Sequence, residues 1–214
     1  MNKWSRITRP LATVALCGAL SASLAGCFTM AVGSAVMGTL AATDRRTLGA
    51  QTEDKEIDLK GETRVSKLIG DAGHVNINSF DRRVLLTGEV PDQATKDAVQ
   101  REVASIDGVE SIVNDLAIMG TTSFTSRSND TLITGKVKAA FVDNKQLYAN
   151  SVKVVTERGV VYLMGRVTQR EGDLAASVAA GVSGVQKVVK MFEYISEAEL
   201  RQMSSTPSTQ NTAK

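Results

Sequence analysis

Apolar and polar positions follow the same order in two stretches of this chain. The apolar alternation of the first stretch returns in the second at a constant offset of 77 residues, and the last matched segment returns at an offset of 76. The matched segments are 75–77 with 152–154, 83–90 with 160–167, and 106–109 with 182–185. A repeat of this kind predicts two copies of one structural unit.

Each copy is predicted to fold in the order helix, strand, turn, strand, helix, strand. In the second copy, the β-branched residues 152–156, a turn at 157–159 and the strand 160–167 are typical of a hairpin. Residues 169–181 have a helical composition, and residues 185–195 are predicted to form a long third strand.

The first copy carries matching signals. Asp92 offers a cap to its second helix, Val99 and Val103 give that helix an apolar face, and residues 109–118 are its third strand. The predicted fold class is α+β, with two tandem αββαβ units, each a three-stranded mixed sheet with two helices on one face. Because a core of about 60–70 residues is marginal alone, we expect the copies to pack together.

The beginning of the chain has the order of a secretory signal. Residues 1–10 carry three bases and no acid, residues 11–20 are apolar, and small residues follow. Segment 24–27, Leu-Ala-Gly-Cys, resembles the lipobox of bacterial lipoproteins. The resemblance implies cleavage before Cys27 and acylation of that cysteine. It also implies sorting to the outer membrane, because an acidic residue directly after the cysteine favours retention in the inner membrane and Phe28 is not acidic.

Two alternatives remain open for this region. A plain secretory signal with an accidental cysteine would provide no acyl anchor. The uncharged stretch 11–43 is also longer than the roughly 20 residues that span a bilayer. Small residues dominate after Cys27 and glycines interrupt the stretch, which favours a membrane-proximal segment.

The repeated unit resembles a known family. The motifs are Leu-Thr-Gly at 86–88, Leu-Met-Gly at 163–165, Val-Ser-Gly-Val at 182–185 and Ser-Asn-Asp-Thr-Leu-Ile-Thr-Gly-Lys-Val at 128–137. With the αββαβ order they resemble BON domains. With the lipobox they resemble the dual BON-domain outer-membrane lipoproteins of the DolP/YraP type.

The sequence and this resemblance together predict six segments. They are a signal peptide (1–26), an acylated N-terminus with a membrane-proximal linker (27–52), a first BON domain (53–119), a linker (120–128), a second BON domain (129–196) and a largely disordered C-terminal tail (197–214). Residues 197–203 of this tail are expected to add a helical turn or two.

The chain offers little for catalysis. His74, the single histidine, is expected to be an exposed residue in the connection before a strand, and four acids are expected on a solvated stretch: Glu53, Asp54, Glu56 and Asp58. The sequence shows no histidine, cysteine and carboxylate spacing typical of a metal site or a catalytic centre. We therefore expect a non-enzymatic protein that needs no cofactor and no metal.

Charge is divided unevenly between the copies. Residues 53–120 contain 14 acids and 8 bases, whereas residues 128–195 contain 9 bases and 6 acids. Anionic lipid attracts each Lys or Arg near its surface by roughly 1 kcal/mol, so the second copy is the better candidate for meeting a membrane. No nucleic-acid partner is expected.

The first helix of the second copy has two apolar sides. At 100° per residue, one side is predicted to face the core: Ile133, Val137, Ala140 and Phe141. The other is an apolar ridge flanked by lysines: Leu132, Gly135, Ala139 and Val142, with Lys136, Lys138 and Lys145. A helix that docks on lipid needs such a ridge between bases. Alternatively, this ridge packs against the first copy or is neutral surface.

The resemblance implies that the same helix binds phospholipid, because phospholipid binding in the family is attributed to the first helix of the second domain. Relatives can have Trp where this chain has Leu132, and Leu lacks the ring that favours membrane interfaces. The leading hypothesis is therefore a lipid-anchored protein that faces the periplasm, binds anionic phospholipid of the outer membrane's inner leaflet, and supports envelope integrity.

Two other hypotheses accompany it. The chain is alternatively an adaptor that docks onto the outer-membrane assembly machinery or a cell-division protein, with the acyl anchor supplying localisation. A third role, related to peptidoglycan or osmotic stress, follows from the wider family and has no support from individual residues.

Overall fold

The computed structural model describes residues 44–205. The signal segment, Cys27, the uncharged stretch 11–43 and the end of the C-terminal tail lie outside the described residues. What the sequence indicates for those segments stays a prediction.

The first copy contains two helices and a mixed sheet. Its elements are α1 (Leu48–Ile69), a 3-10 turn (Gly70–Ala72), β1 (His74–Phe80), β2 (Arg83–Val90), α2 (Gln93–Ala104), β3 (Ser111–Asn114) and β4 (Ala117–Ile118). Strand β1 pairs antiparallel with β2, and β3 and β4 both pair parallel with β2.

The third strand of this copy is interrupted, whereas the sequence predicted one strand over 109–118. The interruption falls at Asp115 and Leu116, between β3 and β4. The side chain of Asn114 accepts a hydrogen bond from the Leu116 backbone N–H at 3.2 Å. Local side-chain bonds of this kind compete with regular strand geometry.

The second copy has the same order of elements. They are α3 (Phe124–Asp143), a 3-10 turn (Ala149–Ser151), β5 (Val152–Glu157), β6 (Val160–Val167), α4 (Gln169–Ala180) and β7 (Lys187–Tyr194), followed by α5 (Glu197–Ser205). The sheet order is β5-β6-β7, with β5 antiparallel and β7 parallel to β6.

Both copies start their first helix earlier than the sequence analysis placed their domain boundaries. Thr47 caps α1 by accepting from the Ala50 N–H, and Ser123 caps α3 by accepting from the Ser126 N–H. The last residues of both predicted linkers are therefore helical.

The repeat holds at the level of strand register. Ile77 pairs with Leu86 in the first sheet, and residues 77 positions later, Val154 and Leu163, pair in the second. The glycines of the repeated motif have a common role: the Gly88 backbone lies against the His74 carbonyl, and the corresponding glycine of the second copy lies against the Ser151 carbonyl. A side chain at either glycine would collide with that oxygen.

The hairpin turns are closed by buried carboxylates. Asp54 accepts from the backbone N–H groups of Asp81 (2.7 Å) and Arg82 (2.9 Å), both of which have positive φ. Asp130 does the same for Arg158 and Gly159, at 2.8 Å each. The interpretation of the first acidic stretch as solvated is therefore wrong for Asp54, which is 2% exposed.

Each sheet buries both of its faces. Alternate residues of β2 and β6 point to the helices of their own copy, as Val84 and Val161 do. The opposite faces pack against each other through the buried side chains of Phe80, Leu85, Tyr162 and Met164. The result is four layers, helices, sheet, sheet and helices, which confirms the predicted α+β class and the packing of the two copies.

Candidate functional site

Helix α3 has one buried side and one exposed side. Ile133, Val137 and Phe141 are at most 1% exposed and lie in the core of the second copy, as predicted. On the other side, Leu132 is 64% and Val142 71% exposed. The first copy does not cover this ridge, because the two copies meet through their sheets.

The structure places all seven predicted binding residues on the exposed surface of α3 or just beyond its end. They are Leu132, Gly135, Lys136, Lys138, Ala139, Val142 and Lys145. At Gly135 the surface is open, since a Cβ there would meet no heavy atom within 4 Å. Ala139 sits between Gly135 and Val142, so the ridge is low in its middle and high at Leu132 and Val142.

One residue of this surface was missed by sequence reasoning. Phe124, the first residue of α3, is 80% exposed. It lies 18 residues before Val142, which is five full helical turns and places both on one line along about 27 Å of helix. The sequence analysis put Phe124 in a linker; Ser123, as a helix-capping residue directly before it, was the signal that indicated otherwise.

The bases of the second copy fall into two groups. The first group forms ion pairs: Lys153, Arg158, Arg166, Arg170 and Lys190. The second group has no carboxylate within ion-pair distance among residues 44–205: Lys136, Lys138, Lys145 and Lys187. Three of these four are the lysines that flank the α3 ridge. The one exposed acid of this helix is its last residue, Asp143.

Two charged groups at the domain interface have shifted pKa values. Burial raises the pKa of Glu157 despite the hydrogen bond it accepts from Asn76 at 2.7 Å. Burial lowers the pKa of Lys153, which donates to the Ser79 carbonyl at 3.0 Å. Each of these groups makes one hydrogen bond to a residue of the first copy.

A polar cleft of about 210 Å³ lies at the same interface. Its lining residues include His74, Asn76, Asp130 and Glu157. His74 is the first residue of β1 and is half-buried, so its interpretation as an exposed loop residue is wrong. The buried carboxylates of Asp130 and Glu157 already accept hydrogen bonds from the protein. In the part of the chain that the structure covers, no three His, Cys, Asp or Glu side chains are grouped to hold a metal.

The sequence profile of the BON domain matches residues 58–120 and 129–196. The chain belongs to the BON-domain family. It contains two such domains, in the positions of the two structural copies.

Two relatives are similar over most of the chain. Outer membrane lipoprotein DolP of Haemophilus influenzae is 36% identical over 188 residues, which cover 87% of this chain and 97% of that protein. The 21 kDa hemolysin of Actinobacillus pleuropneumoniae is 30% identical over 154 residues, covering 71% and 79%. The chain is thus a dual BON-domain protein of the DolP type, as the motifs predicted.

One solved structure aligns with this chain at low similarity. A structure of CdsD, a structural protein of the type III secretion system of Chlamydia trachomatis, aligns with 70% of this chain and 98% of its own at 11% identity and a TM-score of 0.28. Between residues 44 and 205, none of the helices is sufficiently long and apolar to cross a bilayer.

Proposed function

We propose that this protein is a non-enzymatic, acylated outer-membrane lipoprotein that binds anionic phospholipid through the exposed side of α3. The acyl anchor is on Cys27, the domains face the periplasm, and the bound lipid belongs to the inner leaflet of the outer membrane. Its role is to support the integrity of the envelope. One observation carries this proposal: an apolar ridge, whose lysines pair with no carboxylate between residues 44 and 205, on a helix side that neither the core nor the other domain uses.

The apolar side chains of the ridge suit insertion between lipid headgroups. Phe124, Leu132 and Val142 are each more than 60% exposed and lie along one helix. Placing such side chains in an apolar environment gains roughly 25 cal/mol per Å² of surface removed from water. Phe124 also supplies an aromatic ring, which prefers the bilayer interface and is absent at Leu132.

The lysines give the same surface a preference for anionic lipid. Each base near such a surface contributes roughly 1 kcal/mol, so the three lysines that flank the ridge would add about 3 kcal/mol at low salt. Lys136, Lys138 and Lys145 are exposed and are not engaged with carboxylates of the described chain. They can therefore meet headgroups without first breaking an ion pair.

Vesicle flotation tests this proposal with the mature chain carrying Cys27→Ser, so that binding does not depend on acylation. We expect recovery with phosphatidylglycerol-containing vesicles and little with phosphatidylcholine alone. Leu132→Glu should abolish recovery, whereas the control Leu59→Glu, at a residue 65% exposed on α1, should not. Equal recovery with both vesicle types, unchanged by Leu132→Glu, would contradict it.

The adaptor hypothesis gives a different result in cells. The first domain exposes its own apolar side chains along the interrupted edge strand, Val113, Ile118 and Met119, at 44–51%. A photocrosslinker at Leu132 that captured a protein, with no lipid adduct, would favour docking onto an assembly or division protein over phospholipid binding.

A further inference from the structure

Two consecutive arginines precede α1 and contact different domains. Both terminal nitrogens of Arg45 donate to the carboxylate of Glu171, at 2.7 and 2.8 Å, and one of them also donates to the Arg166 carbonyl at 2.7 Å. The Arg45 and Glu171 side chains are only 9% and 4% exposed. This contact spans 126 residues and attaches the start of the described chain to the second domain.

Arg46 attaches to the first domain instead. Its guanidinium donates to Asp54 at 2.6 Å and to Asp44 at 2.7 Å, and it lies 4.0 Å above the centre of the Phe80 ring. Asp54 is the buried carboxylate that closes the first hairpin turn. The two arginines thus form a clamp, by which we mean Arg45 on Glu171 and Arg46 on Asp54.

The Arg45 half of the clamp lies near the lipid-binding helix. The Arg45 guanidinium is 5.7 Å from the centre of the Tyr148 ring, five residues after α3 ends at Asp143. Two of the proposed lipid contacts are at this end of α3: Val142 in its last turn and Lys145 two residues beyond it. Glu171 itself is fixed by the capping box of α4, because it accepts from the Thr168 N–H at 2.9 Å.

The covalent chain alone would attach residues 44 and 45 to the first domain and not to the second. The chain continues from Asp44 through Thr47 into α1, which is part of the first domain. Without the Arg45–Glu171 contact, Asp44 and Arg45 would be held to the first domain only, through Arg46. With it, Arg45 is also held on the second domain, beside Tyr148.

We infer that Arg45 is a positioning residue for membrane contact: its ion pair with Glu171 fixes where the acyl tether joins the protein, so that the exposed side of α3 meets the bilayer. This inference rests on the proposed function and on acylation of Cys27. A tethered site binds as if at high local concentration only when the tether geometry permits simultaneous engagement. The clamp supplies that geometry.

The test uses the acylated full-length protein in phosphatidylglycerol-containing vesicles, with Ala139→Cys as a small reporter in the middle of the ridge. The readout is the rate of labelling by a membrane-impermeant maleimide. Glu171→Gln opens the clamp by removing the charge while an amide oxygen still serves the α4 cap. Arg170→Gln is the control, because Arg170 is next to Glu171 on α4 and its substitution breaks only an exposed ion pair with Glu197 on α5.

We expect the reporter to be shielded severalfold in the parent and in Arg170→Gln, and to lose most of that shielding in Glu171→Gln. Binding of the non-acylated protein to vesicles should stay unchanged, because the ridge is intact. Trypsin should cleave after Arg45 faster in Glu171→Gln, which would confirm that the Arg45 half of the clamp has opened.

Several results would overturn the inference. If tryptic cleavage shows that the Arg45–Glu171 contact is broken but the reporter stays shielded, Arg45 does not position the protein. If non-acylated binding falls as much as shielding does, the role of the pair is structural only. If trypsin cleaves after Arg45 no faster in Glu171→Gln, Glu171 does not hold Arg45 in place. An unshielded reporter in the parent would instead refute the proposed function, and this inference with it.

Discussion

Glu89 of the first domain and Arg158 of the second are paired across the domain interface, with Arg158 Nη1 3.1 Å from Glu89 Oε1. The 77-residue offset of the repeat converts this pair into Arg166 and Asp81, which also form an ion pair, at 3.8 Å. The domains are therefore related as in an isologous dimer, with acids on the first and bases on the second. Pairing two copies of the same domain in this way would bring like charges together, so charge favours the observed unlike pairing.

The buried member of this pair makes it important for stability. Glu89 is 0% exposed and also accepts from Thr122, so Arg158→Ala leaves a buried carboxylate without its cation. We expect a loss of about 3 kcal/mol in unfolding free energy. Lys60→Ala, which breaks an exposed pair with Glu56, should cost less than about 1 kcal/mol. Denaturant unfolding of both variants measures the difference; similar losses would contradict this ranking.

Asp54 should make stability fall at acid pH. Burial raises the pKa of Asp54, but hydrogen bonds from Ser79, Arg82, Asp81 and Arg46 outweigh it, so the folded pKa lies below its ordinary value. Its stabilising contribution is then present above the ordinary Asp pKa of about 4 and is lost as pH falls through the folded value. The stability gap between the parent and Asp54→Asn should therefore narrow between pH 7 and pH 3. A gap that is constant with pH would show that the carboxylate charge is not what closes the turn.

Glu157 should behave in the opposite way. Burial raises its folded pKa, so the charged form destabilises the fold at neutral pH, and this penalty disappears once the group is protonated. Glu157→Gln keeps an acceptor for Asn76 and should be as stable as the parent, or more stable, at pH 7. At pH 3 the two proteins should unfold at the same denaturant concentration. A clear destabilisation by Glu157→Gln at pH 7 would mean that the charge at the interface is needed.

Much of the fold was predictable because its signals are local or repeated. The alternation in β2 and β6, the Asp92 cap of α2 and the core side of α3 each depend on neighbouring residues. The repeat strengthened these predictions, because the same strand and turn patterns occur in both copies.

The wrong predictions concern contacts between distant residues and, at Phe124, the start of a helix. Asp54 lies among lysines and other acids in the sequence, and nothing nearby indicates the backbone N–H groups 27 and 28 residues later that bury it. Arg45 was placed in a linker, although its partner Glu171 is in the other domain. Phe124 follows a polar stretch with the composition of a loop. The exposed ridge of α3 was predicted because helical periodicity alone defines it.

Phe124 should contribute to membrane binding without contributing to stability. Its ring is 80% exposed, so Phe124→Ala removes little that the folded protein uses. Burying it in the bilayer interface should be worth roughly 1–2 kcal/mol, a loss of about tenfold in vesicle affinity for the variant. Flotation of the Cys27→Ser protein measures the affinity, and thermal unfolding serves as the control. An unchanged affinity would remove Phe124 from the binding surface.

Fluorescence from a tryptophan on the ridge tests the lipid contact most directly. The single Trp of the sequence, Trp4, is in the predicted signal peptide, so Leu132→Trp in the Cys27→Ser mature chain reports from α3 alone. With phosphatidylglycerol-containing vesicles we predict a blue shift and quenching by lipids brominated on their acyl chains, and neither effect for Leu59→Trp on α1. An emission from Leu132→Trp that stays at its solution wavelength, unquenched, would contradict insertion of this helix into the bilayer.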